Sequence, residues 1–153
     1  MPREMTVRNL LLCPPPLTLS PDATLSETLS LMIQREVNHI PLCDDDGRFV
    51  GLVSSNALLR VLMPGDTAPA NEPDEVALGH LIGRLHDSGH RCVGDLVDTN
   101  VHPVELETPI LEAARRLSNT PAPLPVVNGA GHLVGLLGRR LLLTYLIDKG
   151  RPH

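Results

Sequence analysis

Ile40-Pro41-Leu42-Cys43, then Asp44-Asp45-Asp46-Gly47, then Arg48-Phe49-Val50-Gly51-Leu52-Val53 is a sequence that this chain uses twice. It returns 84 residues later as Leu124-Pro125-Val126-Val127, Asn128-Gly129-Ala130-Gly131 and His132-Leu133-Val134-Gly135-Leu136-Leu137. Each copy sets two short apolar runs on either side of a turn rich in Asp, Asn and Gly, which is hairpin chemistry. Self-similarity at a fixed period decides the architecture before any motif is weighed, so the fold to expect is a duplicated unit.

The match extends upstream. Val7-Arg8-Asn9-Leu10-Leu11 leads to Pro16-Leu17-Thr18-Leu19, as Val93-Gly94-Asp95-Leu96-Val97 leads to Pro103-Val104-Glu105-Leu106. Alternation at Leu17 and Leu19, and at Val104 and Leu106, predicts a short strand in each copy. A helix follows. In the first copy Thr24-x-x-Glu27 forms a capping box and Leu25, Leu29, Met32, Ile33 and Val37 make an apolar stripe. In the second, Thr108 precedes Pro109 at the first helical position, and Pro121, Pro123 and Pro125 allow no helix beyond about Asn119. Downstream of each hairpin, Ser54 or Ser55 caps a helix over residues 56–62, and a second closing helix over 139–147 ends before Asp148-Lys149-Gly150. The unit is β-α-β-β-α and the class is α/β, in the α+β arrangement.

The expected organisation is a first repeat at 1–62, a linker with a helix at 63–91, a second repeat at 92–148 and a tail at 149–153. Residues 63–73 carry Pro64, Pro69 and Pro73 among polar neighbours and read as a linker. Leu78, Leu81, Ile82 and Leu85 then fall at i, i+3, i+4 and i+7, which predicts an amphipathic helix of about 13 to 15 residues with no counterpart in either repeat. Gly79 and Gly83 each weaken that helix by about 1 kcal/mol, so packing or a dimer contact must hold it.

Composition narrows function. There are 13 Lys and Arg against 18 Asp and Glu, a formal charge of -5, which speaks against nucleic acid as a partner. No apolar run is long enough for a membrane span, and the N-terminal residues lack the apolar core of a secretory signal, so the expected compartment is cytoplasmic. Cys13, Cys43 and Cys92 form no C-x-x-C pair, so neither a disulfide framework nor a zinc knuckle is indicated. With one Phe, one Tyr, no Trp and 28 Leu, any pocket has aliphatic walls, backbone and a few polar tips.

These repeated motifs resemble a tandem pair of cystathionine β-synthase (CBS) domains, the arrangement called a Bateman module. The resemblance rests on apolar-Pro-apolar (Ile40-Pro41-Leu42; Leu124-Pro125-Val126), a turn with Gly, apolar-Gly-apolar-apolar (Val50-Gly51-Leu52-Val53; Val134-Gly135-Leu136-Leu137) and a Leu-rich helix. It covers about 120 residues of the 153. It implies two three-stranded sheets packed about a pseudo-twofold, a homodimer, and a regulatory role toward an unidentified partner protein; charge and hydropathy lead us to expect no nucleic acid and no membrane as partners. It also implies adenosyl ligands: AMP, ADP, ATP or S-adenosylmethionine, as regulators and not as required cofactors. The implied ligand residues are Thr18, His39, Ile40, Pro41, Ser54 and Asn56 in the first copy and Leu124, Pro125, Arg139 and Arg140 in the second. The sequence departs from the family's pattern where an Asp should stand three residues after Ser/Thr to hold the ribose hydroxyls. Ala57 and Leu141 occupy those positions, and Gly138 replaces the second hydroxyl residue. Each unpaired hydroxyl costs on the order of 1 to 3 kcal/mol, so weak binding is expected. The alternative is a dimeric interaction module with degenerate sites.

Other constellations point to bland roles. His80, His86, His90 and Cys92 crowd together, and His86 and His90 have the i, i+4 spacing of a helical metal pair, but no third ligand stands at fixed spacing. Asp44-Asp45-Asp46-Gly47 lacks the further ligands of a calcium loop. Gly129-x-Gly131-x-x-x-Gly135 precedes a strand where a dinucleotide fingerprint needs a helix. No nucleophile with a placed base and no paired carboxylates emerge, so an enzyme is not expected.

Overall fold

A computed structural model of the chain describes residues 5–10, 17–63, 73–97, 101–120 and 123–150. Pro64, Pro69, Cys13 and the last three residues lie outside the described residues. The elements, in chain order, are α1 (Leu25–Arg35), β1 (His39–Cys43), β2 (Phe49–Ser54), α2 (Ser55–Leu62), α3 (Asp74–Ser88), β3 (Val104–Glu105), α4 (Ile110–Ser118), β4 (Leu124–Val127), β5 (Leu133–Leu137) and α5 (Arg139–Gly150). Short 3-10 turns at Val7–Asn9 and Val93–Asp95 precede the two units.

The hairpins β1-β2 and β4-β5 are antiparallel, and their turns repeat each other. Asp44 Oδ1 accepts from the N–H of Asp46 and of Arg48, both at 2.9 Å, and Asn128 Oδ1 accepts from Ala130 at 3.0 Å and His132 at 3.1 Å. Gly47 and Gly131 complete the turns at φ 83° and 84°, a region that glycine enters without penalty. Both β1 and β4 contain a proline, which a central strand rarely tolerates. The Pro41 carbonyl accepts from Leu19 N–H and the Cys43 N–H donates to Leu19. Pro41 therefore turns its missing donor toward the outer edge, where pairing only begins at Leu19, and no ladder bond with β2 is lost.

That edge differs from the predicted strand. Leu19 makes a single parallel bridge to Leu42, while Val104–Glu105 pair with Val126 and Val127. Leu19 is thus the counterpart of Val104, and Leu17 falls outside the pairing. Helix starts also differ between copies. Thr24 caps α1 by accepting from Glu27 N–H at 3.1 Å, as expected. Pro109 is itself the N-cap of α4, and the Thr108 hydroxyl accepts instead from Glu105 N–H at 3.0 Å. α5 continues through Asp148-Lys149-Gly150, since two ordinary helix residues and one glycine impose no stop.

Each repeat is completed by the other's leading turn. Val7 N–H donates to Thr108 and Ile110 N–H to Met5; in the same way Val93 N–H donates to Ala23 and Leu25 N–H to Arg91. Val7 and Leu10 are buried with Val104, Ile110, Leu117, Val126 and Leu137, whereas Val93 is buried with Leu25, Ile40, Leu42, Val53 and Leu58. The bridges Thr6–Pro109 and Thr24–Cys92 are images of one another, and Arg48 bridges to its own counterpart His132. A pseudo-twofold axis therefore passes through the Arg48–His132 bridge and relates the two sheets. Two aliphatic cores result, and in the first of them Val97 packs on Gly51.

Helix α1 buries Leu25, Thr28 and Met32; Ile33 is 78% exposed although it belongs to the predicted stripe. The buried face is centred one step around from it. In α3, a 15-residue helix as expected, only Leu81 of the apolar stripe packs on the first core, while Leu78, Ile82 and Leu85 are exposed.

Candidate functional site

The register of β1-β2 sets His39 directly across from Ser54. Ser54 ends β2 and caps α2: its Oγ accepts from Ala57 N–H at 3.1 Å, which leaves the hydroxyl proton available to donate. Ser55 begins α2, with its N–H donating to the Asn38 carbonyl at 2.9 Å and its Oγ to Asn38 Oδ1 at 3.4 Å. Asn38, Ser55, Glu36 and Val37 line a groove of about 390 Å³ against Leu29, Met32 and Ile33. Asn56 is exposed and Ala57 half-buried. Ile40 and Pro41 are buried in the strand that carries His39. Burial pushes the His39 imidazole pKa below its ordinary value, so the ring favours its neutral form, one nitrogen donating and the other accepting. At the N-terminus of α2 the His39 imidazole thus stands across from the Ser54 hydroxyl, while Ser55 and Asn38 line the neighbouring groove, a setting suited to a polar or anionic group.

Thr18, the residue before Leu19, is exposed and lines a separate pocket of about 400 Å³ with Ser20, Cys43, Asp44, Asp45, Gly47 and, from the other hairpin, Leu133. It is not gathered with His39 and Ser54. The Cys43 thiol there is pushed up by burial and by the nearby Asp44 carboxylate, which makes it a poor nucleophile.

The twofold-related corner has different chemistry. Pro123 stands where His39 does, Gly138 where Ser54 does, and Leu141 where Ala57 does. Gly138 offers no side-chain cap, and α5 begins with Leu142 N–H donating to the Gly138 carbonyl at 3.3 Å. Leu141 is half-buried and packs with Leu106, Val134 and Tyr145 on the second core. Leu124 and Pro125 are buried in β4. The Arg139 guanidinium donates to the Thr120 carbonyl at the end of α4 and lines a groove of about 250 Å³ between α4 and α5. Arg140 is exposed. Those two arginines take the places of Ser55 and Asn56, so cations stand where the first repeat has neutral donors.

Sequence reasoning did not find Asn38 or Thr120. Thr120 acts through its backbone carbonyl and Asn38 through its carbonyl and its side-chain Oδ1, for which the only signal is the helix end and the hairpin register. Among the described residues no group of three or more His, Cys, Asp and Glu is placed to hold a metal, and no helix is long and apolar enough to cross a membrane.

Comparison with known proteins agrees with this geometry. The family model described as "CBS domain" matches residues 7–64 and 93–148. A CBS domain-containing protein of Dictyostelium discoideum is 30% identical over 137 residues, covering 88% of this chain and 87% of that protein. The chloroplastic CBS domain-containing protein CBSX1 of Arabidopsis thaliana is 30% identical over 129 residues, 79% of this chain but 55% of the relative, so the chain spans about half of that plant protein. The crystal structure of Arabidopsis CBSX2 in complex with AMP superposes with a TM-score of 0.71 at 26% identity, covering 95% of this chain and 98% of that one. The duplicated β-α-β-β-α unit, its pseudo-twofold and these matches together place the chain in the CBS domain family, as a tandem CBS pair.

Proposed function

We propose that the chain is a regulatory CBS pair that binds an adenosyl ligand, AMP, ADP or ATP, at the first-repeat corner, and acts as a homodimer on a partner protein. The reading rests on the polar set at that corner, His39, Ser54, Ser55 and Asn56 at the start of α2, set against the aliphatic and glycine residues at its counterpart. His39 and the Ser54 hydroxyl supply donors for a phosphate or a base edge, Ile40 and Pro41 belong to the strand that holds His39, and Thr18, in its separate pocket, takes no part. The binding of AMP by the 26% identical CBSX2 supports the class of ligand. Ala57 supplies no carboxylate for ribose hydroxyls, so affinity is weak. Leu124, Pro125, Arg139 and Arg140 flank a corner without a comparable pocket for ribose, because Leu141 fills it. The homodimer is supported by exposed apolar side chains on α3 and α5, including Leu78, Ile82, Leu143 and Ile147.

Calorimetric titration with AMP, ADP, ATP and S-adenosylmethionine up to millimolar concentration tests the ligand. Heat is expected with at least one adenine nucleotide. The second reading, an interaction module without a ligand, is favoured by the packing of Leu141 into the place of a ribose-binding acid. It prevails if none of the four gives heat and the ultraviolet spectrum of the purified protein, which has one Tyr and no Trp to mask a nucleotide, shows none bound.

A further inference from the structure

Helix α3 has no fully buried residue, and its first and last turns differ in charge. Ala77, Leu81 and Ser88 face the body of the protein, and Arg84 Nη1 donates to the Met63 carbonyl at 3.0 Å, which fixes the inward side of the helix at the end of α2. The outward stripe at i, i+4, i+7 and i+11 is Glu75, Gly79, Ile82 and His86, all exposed. Leu78 and Leu85 lie along one flank of it, and Leu85 opens into an apolar groove of about 810 Å³ between α3 and α1, walled by Leu29, Ile33, Ile82 and Leu85. A Cβ added at Gly79 or Gly83 would meet nothing within 4 Å, so the notch these glycines leave is empty within the chain.

The stripe is self-complementary when read backwards. Reversal about the midpoint between His80 and Leu81 exchanges Glu75 with His86 and Gly79 with Ile82. We propose that a second copy of this chain docks on α3, the two α3 helices running antiparallel about a twofold axis at that midpoint. Ile82 then enters the notch at Gly79 of the partner subunit, Glu75 meets the partner's His86, and Leu78 packs beside the partner's Leu85 on the same flank. The charge pattern selects antiparallel over parallel pairing. Asp74 and Glu75 occupy the first turn, while Arg84, His86, His90 and Arg91 cluster at and beyond the last; Asp87, the one acid there, lies about 110° around the helix from the stripe. A parallel pair sets acid against acid at one end, whereas the antiparallel pair sets acid against base at both and aligns the helix dipoles favourably. An apolar face with interspersed glycine also explains why a helix with two interior glycines persists at all. This inference rests on the homodimer of the proposed function and specifies which surface makes it.

Light scattering of the full chain during size exclusion tests both levels. The wild type is expected at twice its 16.6 kDa mass at micromolar concentration. Gly79→Gln adds a better helix former whose Cβ meets nothing within 4 Å in its own chain yet fills the notch, and it is expected to raise the dissociation constant at least tenfold with unchanged circular dichroism. Glu75→Lys weakens the dimer, and Glu75→Lys with His86→Glu restores it. A wild-type dimer indifferent to Gly79→Gln and to the charge swap overturns the α3 assignment and leaves the dimer standing on another surface. A monomeric wild type overturns the dimer and this inference with it.

Discussion

The corner at Ser54 and the corner at Gly138 occupy the same place in a duplicated unit, yet one is polar and the other aliphatic. Ser54 caps its helix with a hydroxyl and faces His39; Gly138 caps with nothing and its neighbour Leu141 is packed into the second core. The turns show the opposite behaviour, with Asp44 and Asn128 making the same pair of side-chain bonds. Duplication has preserved what the backbone needs in order to turn and pair, and has left the strand ends free to diverge. The two leading turns show a second contrast: Gly94 N–H donates to Pro21 at 2.9 Å with no room for a side chain, while its counterpart Arg8 projects outward to Glu107 at 2.6 Å.

The largest effect is expected at the leading turns. A Cβ on Gly94 would lie 2.7 Å from Pro21 Cβ and 2.8 Å from its backbone oxygen, so neither neighbour can yield cheaply. Gly94→Ala should cost about 3 kcal/mol in denaturant unfolding. Arg8→Ala should change stability by no more than about 0.5 kcal/mol, because its ion pair is exposed on both sides. Next come matched acids at the two corners. Leu141→Asp buries a carboxylate against the second core and should destabilise by about 2 kcal/mol. The same residue at the related position, Ala57→Asp, sits in the first turn of α2 and should be neutral or stabilising by a few tenths of a kcal/mol. Equal costs at both positions would erase the distinction between the corners.

Smaller still is the cap. Ser54→Ala removes a bond to Ala57 N–H and should cost about 1 kcal/mol. Gly138→Ser has open space around the new side chain and should gain only a few tenths of a kcal/mol, visible as a slight rise in Tm. The least effect is the pH response of the first corner. His39 binds its proton less readily folded than unfolded. Between its depressed folded pKa and the ordinary value near 6.5 the unfolded chain holds more protons, so stability is complete above that value and falls as pH drops through the window. His39→Gln should flatten that slope, whereas Pro123 contributes none; an unchanged slope would show that His39 is as solvated as it is in the unfolded chain.

Much of this was legible in the sequence because repeated turn chemistry and apolar runs are local signals. The hairpins, α1 with its Thr24 cap, and the 15-residue α3 follow from such signals. The edge strands were misregistered by two residues at Leu17 because a strand that pairs through one residue leaves almost no alternation to read. Ile33 was assigned to the buried stripe, but hydrophobicity does not say which of two neighbouring faces a helix turns inward. The exchange of Val7 and Val93 between cores is a non-local contact, invisible to periodicity. At the site, Ser54 and His39 could be named in advance; that Thr18 stands apart from them, and that Thr120 holds Arg139, depends on register and on a helix end.

The central claim is that one corner of the pair, and not both, is built to hold a ligand. Calorimetric titration of the Ala57→Asp protein with AMP tests it most directly, since the added carboxylate can pair the ribose hydroxyls. One AMP per chain, bound at least about tenfold more tightly than by the wild type, is the predicted result, a gain of about 1.4 kcal/mol. Two AMP per chain, or an affinity that the new carboxylate leaves unchanged, would contradict it.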